Sequence, residues 1–200
     1  MKSLKDVIGT LENLFDKFND DVYQGELEKP IISVSPDTTS GAYGWVTSWK
    51  AWDNYGQGRY EINLCAEHLN RPFAEICETL LHEMVHLYNL QHEIKDTSRG
   101  GKYHNMKFKT EAEKRLLDVD KDSKYGFCHT SLNEDGVAYI ESLDSINFPL
   151  YRITPTKASS GSRKSSSRKY ICPTCGLSIR ATKDVNIMCG DCVEHMIKEQ

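Results

Sequence analysis

The chain has 200 residues, of which 38% are hydrophobic and 27% are charged, and its formal net charge is −4. This composition is typical of a soluble globular protein, and it excludes a largely disordered chain. The net charge argues against a uniformly basic nucleic-acid binder. The charge is unevenly distributed, because residues 1–151 carry a net charge of −9 and residues 152–200 carry +5. We therefore expect an acidic body with a basic C-terminal tail that meets an anionic partner.

The N-terminal third predicts one helix and three strands. Apolar residues at helical spacing predict an amphipathic helix over residues 3–23. Short β-branched or aromatic segments predict strands over residues 30–36, 41–49 and 59–65, with a turn at residues 53–58. Acidic residues interrupt the first apolar pattern, and no apolar run reaches the roughly 18 residues of a membrane span. We therefore expect a cytoplasmic protein with no membrane partner.

A longer helix is predicted over residues 72–89, and it contains the HExxH motif His82-Glu83-Met84-Val85-His86. Four residues are just over one helical turn, so both imidazoles project from one face and can bind one Zn²⁺. Burying these polar side chains in an apolar helix would be costly without a metal. Glu83 is displaced around the helix, and we expect it to act as the general base on a zinc-bound water.

The region that follows this helix is less regular. Residues 97–103 predict a polar, glycine-containing loop, and residues 104–117 predict a second helix. Residues 118–124 are acidic and predict a turn. Two β-like pieces at residues 136–140 and 148–153 have no evident place in the fold.

A third zinc ligand is needed, and the residues alone leave three alternatives. With His92, the string HEMVHLYNLQH nearly matches the metzincin pattern HExxHxxGxxH, with Asn89 at the glycine position. A glutamate on the next helix, Glu111 or Glu113, would match the gluzincin arrangement. His104, which follows the glycine-containing loop, is the third candidate.

The segment TLLHEMVHLYNLQHEIKDTSRGGKYHNMKFKTEAEKRL resembles the SprT-like metalloproteases, the group that includes Spartan. Its element Gly101–Phe108 is similar to the family's G-x-x-H-x-x-x-F, and FNDDVYQGELEKPIISVS is similar to the family's opening helix and strand. The resemblance implies a zincin-like fold with His82, His86 and His104 as zinc ligands and Glu83 as catalytic base. It also implies protein substrates that are attached to DNA.

Four of the seven cysteines form two CxxC pairs, Cys172/Cys175 and Cys189/Cys192. This spacing presents four thiolates to one structural Zn²⁺. About 31 residues cannot build an adequate apolar core, so the metal would contribute much of the folding free energy. A zinc ribbon is therefore predicted over residues 170–200, after a Ser/Gly/basic linker over residues 154–169.

Residues 152–183 contain eight Lys/Arg and no Asp/Glu, a pattern that favours salt-dependent DNA binding. The alternative is a solvated linker beside a purely structural ribbon. The resemblance favours DNA. The predicted DNA contacts are Arg163, Lys164, Arg168, Lys169, Arg180 and Lys183.

Together these patterns predict an α+β fold: a zincin-like core over residues 1–153 with a small antiparallel sheet against helices, then a tethered zinc ribbon. We expect a monomer with two zinc ions, one catalytic and one structural. The predicted function is a zinc endopeptidase acting on DNA-associated proteins. The alternatives are a metzincin-like protease that uses His92, and a non-catalytic nucleic-acid-binding zinc protein.

Overall fold

The computed structural model describes residues 3–37, 41–148, 150–153 and 167–199. It divides into two compact units, Met1–Thr154 and Pro155–Gln200. The first unit contains the HExxH motif and the second contains the two CxxC pairs. In the described part of the chain, no helix is long and apolar enough to cross a membrane.

The first unit combines helices with short strands, as expected for an α+β fold. Within the described residues its α-helices are α1 (Leu4–Tyr23), α2 (Phe73–Gln91), α3 (Met106–Glu113) and α4 (Glu134–Glu141). Its strands are β1 (Ile31–Ser35), β2 (Gly44–Val46), β3 (Trp52–Asn54), β4 (Gln57–Arg59), β5 (Glu61–Cys65), β6 (Thr97–Ser98), β7 (Tyr103–His104), β8 (Leu117–Asp122) and β9 (Gly126–Leu132).

The predicted N-terminal helix is confirmed as α1. Ser3 and Asp6 form a capping box at its start, which satisfies backbone N–H groups that have no partner within the helix. At its other end Gln24 adopts a left-handed conformation with φ 58°. The buried face of α1, which includes Phe15 and Phe18, belongs to the same apolar core as the buried face of α2.

A three-stranded sheet in the order β1-β5-β2 lies against these helices. Its strands fall within the predicted segments, but the sheet is mixed, because β1 runs parallel to β5 while β2 runs antiparallel to it. The prediction of an antiparallel sheet is therefore wrong for β1. The strand order leaves β2 at one edge, and β2 packs against α2.

Several local predictions are wrong in instructive ways. Residues 118–124 contain most of strand β8, in which Leu117 and Val119 point into the core and the intervening acidic residues face solvent. The predicted turn at residues 53–58, by contrast, is confirmed: Tyr55 and Gly56, both in left-handed conformations, form the tip of the hairpin β3–β4. The β-like piece at residues 136–140 lies in α4, which Asn133 caps through its side chain.

The second unit is a small β module. Its strands are β10 (Arg168–Ile171), β11 (Ser178–Ala181), β12 (Met188–Cys189), β13 (Glu194–His195) and β14 (Ile197–Lys198). Among the described residues of this unit, the buried ones are few: Tyr170, Cys172, Cys189 and Met196. Most of the predicted linker over residues 154–169 lies outside the described residues, although β10 begins before its predicted end.

Candidate metal centres

The HExxH histidines lie one turn apart on α2, and their rings stand side by side with centroids 5.1 Å apart. Phe108 from α3 packs beneath them, with its ring centroid 4.7 Å from His82 and 4.5 Å from His86. The same phenyl ring lies 4.7 Å from His104. Phe108 is fully buried, so it forms an apolar floor that all three imidazoles share.

His104 lies on β7 rather than on a helix, since α3 begins after the cap residue Asn105. The backbone N–H of His104 donates to the carbonyl of Tyr125 at 2.9 Å, and His104 is paired with Gly126 of β9. Gly126 has φ +75°, and a Cβ atom there would lie 2.2 Å from the His104 carbonyl oxygen. Only glycine permits this close approach, so Gly126 determines where the third imidazole lies.

The three imidazoles converge, with one ring nitrogen of each within 4.8 Å of the others. The Nε2 atoms of His86 and His104 are 3.0 Å apart. Two nitrogen ligands of a tetrahedral zinc ion are roughly 3.3 Å apart, so the spacing fits a metal. Burial lowers the pKa of His82 well below its usual range and lowers that of His104 to about 4. Both rings are therefore neutral near pH 7 and can donate a lone pair.

Asp96 is a site residue that sequence reasoning missed. Its carboxylate is buried and accepts a 2.6 Å hydrogen bond from Nδ1 of His86. Asn89 donates a second hydrogen bond to the same oxygen at 3.0 Å. A carboxylate on Nδ1 leaves Nε2 free to bind a metal and makes the imidazole a better ligand. No spacing rule marks Asp96, because it lies in the connection after α2 and reaches His86 only through the fold.

Glu83 is buried next to the edge strand β2. A Cβ atom at Gly44 would lie 3.2 Å from Cγ of Glu83, so the strand backbone lies directly against this side chain. Burial raises the pKa of the Glu83 carboxyl to about 7. A carboxyl with a pKa near neutrality both accepts and releases a proton at physiological pH.

The rival third ligands lie elsewhere. His92 caps the C-terminal end of α2, where its ring stacks on Tyr88 and its Nδ1 is 2.8 Å from the Tyr88 carbonyl oxygen. Glu111 is paired with Arg115 and Lys114. The structure thus brings His82, His86 and His104 together without any of these rivals.

The sequence was compared with known families and proteins. A model of the SprT-like family matches residues 11–120. The chain belongs to the SprT-like family. No curated protein and no solved structure matches it. The matched region of this SprT-like chain contains α2, His104 and Phe108, and it ends before Gly126. The family is associated with metalloprotease-like function, and the histidine cluster of this member offers a site for the metal.

The four CxxC cysteines of this SprT-like chain form the second candidate metal centre. Their sulfur atoms lie within 4.8 Å of one another. The two knuckles have the same backbone design, because Gly176 donates to the Cys172 carbonyl and Val193 donates to the Cys189 carbonyl. Both donors have positive φ, so the second knuckle turns at Val193. A backbone hydrogen bond from Cys175 lowers the pKa of Cys172 to about 7, which favours the thiolate that binds zinc.

The predicted DNA contacts are divided between described and undescribed residues. Arg163 and Lys164 lie outside the described residues. Arg168 pairs with Asp184 at 2.9 Å, and Lys169 pairs with Glu199 at 2.9 Å. The remaining two, on or beside β11, are Arg180, which donates to the Ser167 hydroxyl, and Lys183.

Proposed function

We propose that this protein is a zinc-dependent endopeptidase that cleaves DNA-associated proteins. One observation carries the proposal: three imidazoles converge beside a buried glutamate that lies next to the edge strand of a sheet, as far as the described residues show. Three histidine ligands leave a fourth coordination position for water or substrate, as catalytic zinc sites require. A purely structural site would instead be closed by a fourth protein ligand.

The chain's own residues supply acid–base chemistry. Zinc, when bound, contributes Lewis acidity that favours ionisation of water and polarises a peptide carbonyl. Glu83 takes the proton of the attacking water and delivers it to the nitrogen of the departing amine. Burial raises the pKa of the Glu83 carboxyl in the metal-free protein, which makes its carboxylate a stronger base for the first step.

The free edge of β2 is suited to hold an extended substrate. Tyr43 and Thr47 form backbone hydrogen bonds with β5, so in the alternating pattern of an antiparallel pair Gly44 and Val46 direct their N–H and C=O groups outward. A peptide that added to this edge would pass directly over Glu83, which lies against Gly44. The close packing at Gly44 thus places the substrate backbone next to the general base.

Cleavage of a DNA-bound protein tests this function. The wild-type chain and the Glu83→Gln variant are incubated with the substrate protein in the absence of DNA and with single- or double-stranded DNA. We expect cleavage by the wild type alone, and stronger cleavage when DNA holds enzyme and substrate together. Equal behaviour of the two proteins would contradict the enzyme proposal and leave a nucleic-acid-binding zinc protein.

DNA binding is proposed for the basic tail, with the linker as its main contact. Residues 167–199 hold five Lys/Arg and four Asp/Glu, whereas residues 152–166 hold four Lys/Arg and no acid. Ion pairs also occupy Arg168 and Lys169 in the ribbon. Phosphate contacts release counterions, so affinity should fall steeply with salt.

A matched pair of double variants tests this assignment. Changing Arg163 and Lys164 to Gln should weaken DNA binding and reduce its salt dependence by about two phosphate contacts. The same change at Arg168 and Lys169 should have a smaller effect, because both cations are already paired. DNA binding that is insensitive to salt and to both double variants would contradict the proposal.

A further inference from the structure

His82 is held from outside the HExxH helix. Its Nδ1 atom lies 3.2 Å from the hydroxyl oxygen of Thr130 on β9. The same hydroxyl lies 3.2 Å from a carboxylate oxygen of Glu78, one turn before His82 on α2. The three side chains therefore form a line from imidazole to hydroxyl to carboxylate.

We propose that Thr130, backed by Glu78, is a positioning residue that fixes the tautomer and orientation of His82 for metal binding. The proposal rests on metal binding at the histidine cluster and is independent of peptidase activity. It assigns a function to β9, which lies beyond residue 120, where the match to the family model ends.

The direction of the hydrogen bonds follows from the chemistry of the three groups. A threonine hydroxyl has one proton to donate, and an ionised carboxylate only accepts. Thr130 therefore donates to Glu78, and its oxygen accepts the proton on Nδ1 of His82. The proton is then confined to Nδ1, and Nε2 presents its lone pair to the metal.

The other two ligands are held differently, which shows what this relay contributes. His86 has the direct carboxylate partner Asp96. Nδ1 of His104 is buried and has no hydrogen-bond partner among the described residues, so backbone pairing to Tyr125 and Gly126 places that ring. The hydrogen bond from His82 to Thr130 is weaker than the one from His86 to Asp96, because in the first case a hydroxyl lies between the imidazole and the carboxylate.

The relay ties the HExxH helix to strand β9, which pairs antiparallel with β8 in a hairpin, beside the candidate metal site. Glu78 is half-buried; burial raises the pKa of its carboxyl, whereas the hydrogen bond from Thr130 and the charge of Arg71 lower it. The hairpin supplies a side chain to His82 and, through Gly126, a backbone position to His104. Two of the three ligands therefore depend on a segment that the motif spacing does not include.

The test compares Thr130→Val, which keeps the shape and removes the hydroxyl, with Thr130→Ser, which keeps the hydroxyl. Ser131→Ala, which removes an exposed hydroxyl from the same strand, is the matched control. Affinity for Zn²⁺ is measured on the full chain by competition with a chelator. Titration with Co²⁺ separates the sites, because the thiolate site gives charge-transfer absorption that histidine ligands lack. NMR of the imidazole nitrogens reports the tautomer of His82.

Thr130→Val should weaken metal binding at the histidine site by about tenfold, and the population of the Nδ1–H tautomer of His82 should fall. Thr130→Ser and Ser131→Ala should bind as the wild type does, and the thiolate site should be unchanged throughout. Glu78→Leu provides a second variant, outside the hairpin, and should also weaken metal binding at the histidine site. Wild-type affinity and tautomer in both Thr130→Val and Glu78→Leu would overturn the proposal.

Discussion

The two candidate metal centres differ in what holds their ligands. The histidines are carried by elements of a large apolar core, and hydrogen bonds to Asp96 and Thr130 orient two of their rings. The cysteines lie in a unit whose buried residues number four among those described, and two of these, Cys172 and Cys189, are themselves candidate metal ligands. The histidine site is therefore shaped by the apolar core, whereas a metal would contribute much of what holds the cysteine site together.

Metal removal should produce the largest difference between the two units. A chelator should unfold the ribbon, because the metal replaces a core that its sequence cannot provide. The first unit should stay folded. All three tryptophans lie between residues 45 and 52, so tryptophan fluorescence reports the first unit alone. We expect unchanged fluorescence together with loss of NMR dispersion for residues 167–199; simultaneous unfolding of both units would break the comparison.

Glu83→Gln should abolish cleavage and stabilise the metal-free first unit. Loss of a general base costs about 10²–10⁴-fold in rate. Burial raises the pKa of Glu83 from 4.5 to about 7, so its ionisation opposes folding increasingly as pH rises through that interval. The variant should gain roughly 3 kcal/mol above pH 7, and the gain should vanish near pH 4.

Urea unfolding, followed by tryptophan fluorescence at pH 4 and pH 8, measures this gain. The wild type should also lose cleavage rate as pH falls through the pKa of Glu83 in the metal-loaded protein, because its base becomes protonated. A Glu83→Gln variant that is less stable than the wild type at pH 8 would show that the carboxylate has a favourable partner in the metal-free protein.

Asp96→Ala should weaken zinc binding at the histidine site by about 10–100-fold. The substitution removes the acceptor for His86 and also leaves the Asn89 amide without its acceptor. Asp96→Asn should lose less, since an amide oxygen still accepts from the imidazole. Co²⁺ titration measures both, with the thiolate site as the internal reference. Equal affinities in all three proteins would show that the core alone orients His86.

Gly126→Ala should destabilise the first unit by about 1–3 kcal/mol and displace His104. The added methyl would lie against the His104 carbonyl oxygen and the Tyr103 ring. Gly100→Ala is the matched control, because Gly100 also has positive φ but has open space around it. The difference between the two variants in urea unfolding isolates the clash from the backbone strain. Equal losses of unfolding free energy in the two variants would mean that β7 and β9 can move apart to accommodate the methyl group without loss of stability.

The smallest effect is expected for His92→Ala. His92 is exposed at the end of α2 and stacks on Tyr88. Zinc content at the histidine site should stay at the wild-type value, whereas His104→Ala should lose that zinc. Metal analysis of both variants with the four cysteines replaced removes the ribbon's contribution. The reverse pattern would restore the metzincin alternative.

The parts of the molecule that the sequence predicts are those that depend on the spacing of residues within one helix or strand. The apolar period of α1 and the HExxH spacing on α2 both come from one helical repeat. The roles of Asp96, Thr130 and Gly126 cannot be predicted from residue spacing, because each acts through a contact between separate elements. The acidic residues of strand β8 predict a turn because they are exposed and polar. In the structure they alternate with the buried Leu117 and Val119, as a half-buried strand requires.

The buried ring of Phe108 limits how ligands can reach the histidine cluster. A phenyl ring in contact with all three imidazoles has no lone pair for a metal and admits no solvent from below. Any exogenous ligand would therefore approach the imidazoles from a side that Phe108 does not cover. In the proposed reaction, Phe108 thus restricts the directions from which water, peptide and product reach or leave the three imidazoles.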